Sequence, residues 1–141
     1  RRMRRANADF FPLWLLLRNM EHLTPDFPTL LDRCAHAKCP DALFFDSYAQ
    51  QIENLSVYFL FRYVMKAAVD SRLFERAASC IFHVLSISCL FPYLPEQTPE
   101  HFRALCSLYS KEVEHSEDNL ELLYRSIRRG AFRTNTLFSL L

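Results

Sequence analysis

The sequence predicts an all-α fold, a compact bundle of five to six mostly antiparallel helices. Three observations carry that reading. The 141 residues include a single glycine, Gly130, whereas a hairpin-rich β fold needs residues with positive φ at its turns. Apolar side chains recur at helical steps, most regularly through Phe102, Leu105, Tyr109, Val113, Leu120, Leu123 and Ile127. The segments Thr24-Pro25-Asp26 and Thr98-Pro99-Glu100 each offer an N-cap hydroxyl, a proline suited to the first turn and an acid suited to the positive end of the helix dipole. Half of the residues are hydrophobic, enough for one domain with a substantial core.

Taken in order, Arg1 to Arg5 form a basic run, read either as a solvated helix end or as a contact for an acidic surface. Phe10 to Leu23 is strongly apolar, with Pro12 near a helix start; Trp14, Leu15 and Leu17 are expected inside, Arg18, Asn19 and Glu21 outside. Thr24 caps a second helix that runs through Leu30, Leu31 and Cys34 to about Lys38, where Cys39-Pro40 stops it, because the residue before proline avoids the α region. Asp41 or Asp46 caps the next helix, which ends near Val69. Within it, Ile52 to Val69 is apolar at thirteen of eighteen positions, the exceptions being Glu53, Asn54, Ser56, Arg62 and Lys66. A helix apolar on most sides belongs in the middle of a bundle.

Asp70-Ser71 opens the following helix, and Pro92 and Pro95 close it. Its stretch Ala77 to Leu94 carries no charge over eighteen positions, the minimum length of a membrane span. Ser79, His83, Ser86, Ser88 and Pro92 suit a buried core helix instead, so membrane association is left open but not predicted. From Thr98 the apolar phase carries through Ser116 to Asn119. One long helix to about Arg129 is therefore expected rather than two, with a kink near Ser116 left open, its acids preceding its arginines and Gly130 serving as C-cap. Thr134 to Leu141 adds a last short helix or frays.

Little chemistry is written into the chain. Seventeen basic against sixteen acidic side chains argue against a nucleic-acid partner. Five cysteines without framework spacing suit a reducing, cytoplasmic compartment. Cys34-x-His36-x2-Cys39 holds three soft-metal ligands at the spacing of no zinc module and without a fourth, so no metal is assigned and a redox or metal role for Cys34 or Cys39 stays open. Cys80, Cys89 and Cys106 read as small core hydrophobes, and His83 as a core histidine. One glycine excludes a Gly-rich phosphate loop, and no cofactor loop follows a strand.

Two polar groups remain. Tyr58, Arg62 and Lys66 lie at one-turn steps, either snorkelling at the bundle edge or forming a docking or ligand surface, with Glu53 and Asn54 earlier in the same helix. Glu112, Glu114 and His115 form either a solvated face or an acid/base group, although adjacent helical residues do not face each other. These eight residues are the candidate docking or ligand surface, and no catalytic residue is identified.

Two stretches resemble the C-terminal helical region of the flagellin lysine-N-methylase family: IENLSVYFLFRY (Ile52–Tyr63) and TPEHFRALCSLYSKEVEHSEDNLELL (Thr98–Leu123). Glu53, Asn54, Tyr58, Phe61 and Arg62 match its first motif; Glu114, His115, Ser116, Leu120 and Leu123 match its second. The resemblance covers about Phe45 to Ile127. It implies a cytoplasmic parent enzyme that methylates lysines of flagellin with S-adenosylmethionine, and that carries an iron–sulfur cluster in an N-terminal CxxxCC segment. This chain has no CxxxCC, so the resemblance implies that it is a C-terminal piece of a larger protein, expected to be inactive alone and to hold no cofactor of its own. Substrate docking, homo-oligomerisation and active-site closure are the roles left for such a piece. The alternative is a non-enzymatic helical interaction module.

Overall fold

The computed structural model describes residues 10–38 and 40–130, and these form the expected helical bundle. Its helices are α1 (Phe11–Arg18), α2 (Asp26–Arg33), α3 (Ala42–Ser47), α4 (Ala49–Tyr63), α5 (Ala67–Asp70), α6 (Leu73–Leu90), α7 (Pro99–Tyr109) and α8 (Glu117–Arg128). Tight 3₁₀ turns follow α4 and α6, and a wide π-helical turn, Ser110–Glu114, follows α7. The basic run Arg1–Arg5, Cys39 and the predicted last helix lie outside the described residues.

α6 occupies the centre. Every residue from Phe82 to Leu90 is buried, and α1, α4, α5, α7 and α8 all pack on it. The helix tolerates this because it carries no charge beyond its first turn, and two of its three serines feed their own backbone: Ser79 Oγ donates to Arg76 O and Ser88 Oγ to Val84 O, both at 2.8 Å. By length and composition Leu73–Tyr93 could cross a membrane, but 67% of its most apolar window lies buried inside the bundle.

The central place expected for Ile52–Val69 is thus corrected. That stretch is interrupted by the Val64–Lys66 turn, and α4 buries only Leu55, Phe59 and Tyr63, at four-residue steps along one stripe. Val57, Leu60, Phe61, Met65 and Val69 face solvent, Phe61 being 70% and Val69 90% exposed. Glu53, Asn54 and Arg62 explain the outcome physically. A helix with charged or amide groups on several sides has to lie at the edge, where water or a polar partner reaches them. Leu15, expected inside, is likewise exposed, whereas Leu17 is buried and Trp14 is half-buried with its indole N–H donating to Leu31 O at 2.7 Å.

The single long C-terminal helix is also corrected. The chain widens into the π turn, passes His115, becomes extended at Ser116 (ψ 112°) and restarts as α8 with Ser116 Oγ accepting from Asn119 N–H at 3.2 Å. Glu112, fully buried, accounts for much of the distortion. Its carboxylate accepts Leu23 N–H (2.7 Å), Thr24 N–H (3.0 Å) and Thr24 Oγ–H (2.6 Å). Asn119 completes the clamp, exchanging hydrogen bonds with the backbone of Glu21 and donating to Glu112 O, each at 2.8 Å. Thr24 therefore does not cap α2. Its hydroxyl takes the stronger, charge-assisted bond, and Pro25 stands at the cap position without a side-chain bond. Thr98 caps α7 and Gly130 closes α8 at φ 72° with its N–H on Ile127 O, as expected, whereas Asp41 caps only the short α3, and α4, which holds the Ile52 stretch, starts at Tyr48 without a side-chain cap.

Replacing Glu112 with Ala strands two backbone N–H groups and a hydroxyl in the Leu23–Thr24 loop. Chemical denaturation should record a loss of about 3 kcal/mol. Phe61→Ser, at the supposed centre of the bundle, should change stability by no more than about 0.5 kcal/mol.

Candidate functional site: a groove ending on Glu114

α4 and α7 leave between them a groove of about 550 Å³. Its floor is apolar, formed by Leu55 and Phe59 of α4, Ile87 of α6 and Phe102 of α7. Gln51, Asn54 and Tyr58 rim one side, and Arg103, Cys106, Ser107 and Ser110 the other. Local sequence sets both walls. Phe102, Cys106, Ser110 and Glu114 follow at four-residue steps and so share one face of α7 and the π turn. Leu55, Tyr58, Phe59 and Arg62 do the same on α4.

Glu114, 5% exposed, closes one end. Its Oε1 accepts from Arg62 Nε at 2.9 Å, from Tyr63 Oη at 3.0 Å and from Tyr58 Oη at 3.3 Å. The Arg62 guanidinium sits 5.8 Å from both the Tyr58 and the Tyr63 ring centroids, adding cation–π contact to the ion pair. Burial raises the Tyr63 phenol pKa, and the Glu114 charge raises it further; Tyr58 shifts the same way for the same reasons. Both phenols remain donors. The Cys106 thiol, pushed to about 11 by burial and then by Glu114, is no nucleophile at neutral pH.

Behind the ion pair, His83 stacks on Phe59 (ring centroids 4.8 Å) and Tyr63 (5.1 Å), with Nδ1 2.9 Å from Tyr109 Oη. Burial, with a smaller contribution from Arg62, lowers its pKa to about 3. It is a neutral core histidine that backs the two aromatic rings nearest Glu114.

The candidate residues separate. Tyr58, Arg62 and Glu114 come together, with Asn54 on the rim of the same groove. Glu112 points to the opposite side, against the α1–α2 loop, as residues two apart on a helical turn must. Glu53, Lys66 and His115 are exposed and do not line the groove. The reading of Glu112 and Glu114 as a solvated face is corrected, since both are buried. Sequence reasoning missed Tyr63, whose signal was a tyrosine hydroxyl in an apolar run needing a buried partner. It also missed the Phe102–Cys106–Ser110 face, legible as a strict four-residue repeat running up to Glu114.

Among the described residues, those lining the groove do not assemble the residue sets of hydrolytic or nucleophilic catalysis. Among the described residues no three His, Cys, Asp or Glu side chains converge as metal ligands. Cys34, at the end of α2, is buried and its thiol is pushed to about 12, the reverse of a metal-binding thiolate. No iron–sulfur ligand is assigned among the described residues.

Fold and site together define a helical domain with a narrow apolar groove that ends on a buried, arginine-paired carboxylate. The FliB lysine N-methylase C-terminal domain family matches the chain over residues 16–140, and the chain belongs to that family. Both stretches that carried the resemblance lie inside the matched region, so that expectation holds. No curated protein and no solved structure matches the chain.

The buried histidine gives a pH signature. Between about pH 6.5 and pH 3 the unfolded chain binds a proton at His83 that the folded chain refuses. Stability should therefore fall on acidification, by about 1.4 kcal/mol per pH unit from this group. Denaturation midpoints of His83→Gln should depend less steeply on pH across that window.

Proposed function

We propose that this domain is the substrate-docking module of an S-adenosylmethionine-dependent lysine N-methyltransferase acting on flagellin in the cytoplasm. The methyl donor and any iron–sulfur cluster belong to other parts of the enzyme. Membership of the lysine N-methylase family supplies the reaction class. The observation that carries the docking role is the groove itself, an apolar floor bounded by amide and hydroxyl side chains around a volume of about 550 Å³. Such a surface contributes binding energy rather than chemistry.

A second reading, a helical interaction module without a part in methylation, is favoured by the exposed apolar ridge of Val57, Phe61, Met65 and Val69. The two readings part in the full-length protein. If the groove docks substrate, Ser107→Trp, which fills it from an exposed rim position, should raise KM for flagellin about tenfold while kcat stays within about twofold. Unchanged KM would remove the docking role. Absence of methyl transfer to flagellin by the unmodified full-length protein would remove the methylase reading.

A further inference from the structure

Resting on that docking role, we propose that the groove seats the side chain of a substrate lysine other than the one being methylated, its ammonium on Oε2 of Glu114. The distribution of donors around this carboxylate is uneven. Arg62, Tyr63 and Tyr58 all converge on Oε1, and among the described residues Oε2 receives no hydrogen bond. Glu114 lines the groove, and Oε2 is not among the enclosed side-chain atoms without partners. An oxygen that takes no protein donor is open to one that a ligand brings.

One free oxygen also selects the kind of cation. A guanidinium binds carboxylates as a two-pronged fork, and here Arg62 and the two tyrosines already crowd one of the two oxygens. An ammonium is a compact point charge that needs one. The methylene stem of a lysine runs along Leu55, Phe59, Ile87 and Phe102, as such stems do on apolar surfaces. Arg62 leaves 36% of its side chain in water, which screens its repulsion of a second cation.

This geometry makes the seated lysine an anchor. A neighbouring carboxylate favours the protonated amine. Methyl transfer requires the neutral amine, whose lone pair forms the new N–C bond as the sulfonium's S–C bond breaks. The lysine that reacts must therefore sit elsewhere while this one fixes the register of the substrate.

The test is an NMR titration of the 141-residue chain with Ac-Ala-Lys-Ala-NH2 and with the norleucine and arginine counterparts. Lysine should bind saturably, shifting Tyr58, Ser107 and Ser110, and at least about tenfold more tightly than norleucine or arginine. Glu114→Gln should reduce lysine binding to the norleucine level. Because that substitution also disturbs Arg62 and the tyrosines, Ser107→Trp serves as an independent block and should abolish the shifts. Equal affinity for the three peptides overturns the proposal. So does the absence of saturable lysine binding, or lysine binding that survives Ser107→Trp. Binding is read without turnover, so such a result would leave the methylase reading standing, and an inactive full-length protein would leave the titration standing.

Discussion

A carboxylate taken out of water has to find donors, and this fold removes two of them within three residues of chain. Glu112 and Glu114 stand on opposite sides of the Ser110–Glu114 turn, each nearly or fully buried. Glu112 gathers the backbone and hydroxyl of Leu23–Thr24, and so fastens the α1–α2 pair to the junction of α7 and α8. Glu114 gathers Arg62, Tyr58 and Tyr63, and so fastens α4 to the same junction from the other side. Removing one partner of such a buried pair costs far more than the pair itself contributes, because the remaining charge has no water to fall back on. The turn is thereby fixed from two directions, which accounts for a widened helical turn persisting where a regular α-helix was available.

The same constraint orders the aromatic interior. Phe27, Tyr109, His83, Phe59 and Tyr63 follow one another at ring-centroid distances of 4.8 to 6.1 Å, leading from α2 through the centre of the bundle to the ion pair. Each hydroxyl or ring nitrogen in that column must be matched or left costly. Tyr63 is matched by Glu114 and Tyr109 by His83, whereas His83 Nε2 is enclosed without a partner. Packing and polarity are therefore settled together, and the groove inherits its rigid back wall from the core.

Much of the fold was legible because helix ends are written locally. Thr98, Asp41 and Gly130 do what their residue types dictate. Thr24 fails for a reason no local rule contains, since a glutamate 88 residues away competes for its hydroxyl. The apolar stretch Ile52–Val69 misleads because composition counts apolar side chains without knowing which neighbour lies on which side. α6, uncharged from Ala77 onward, is the helix that can be approached all round. At the site, the Tyr58–Arg62 step and Glu114 were visible as polar exceptions, but their union was not. It depends on the π turn, which the unbroken apolar phase from Phe102 to Ile127 conceals.

The position of the lone indole has a practical consequence. Trp14 is the only tryptophan of the chain, and its N–H is tied to Leu31 O at the α1–α2 contact, away from the groove. Intrinsic fluorescence will therefore follow the seating of α1 on α2 and the loop that Glu112 fastens. A ligand arriving beside Tyr58 would leave that emission almost untouched, so an optical reporter for the groove has to be introduced there.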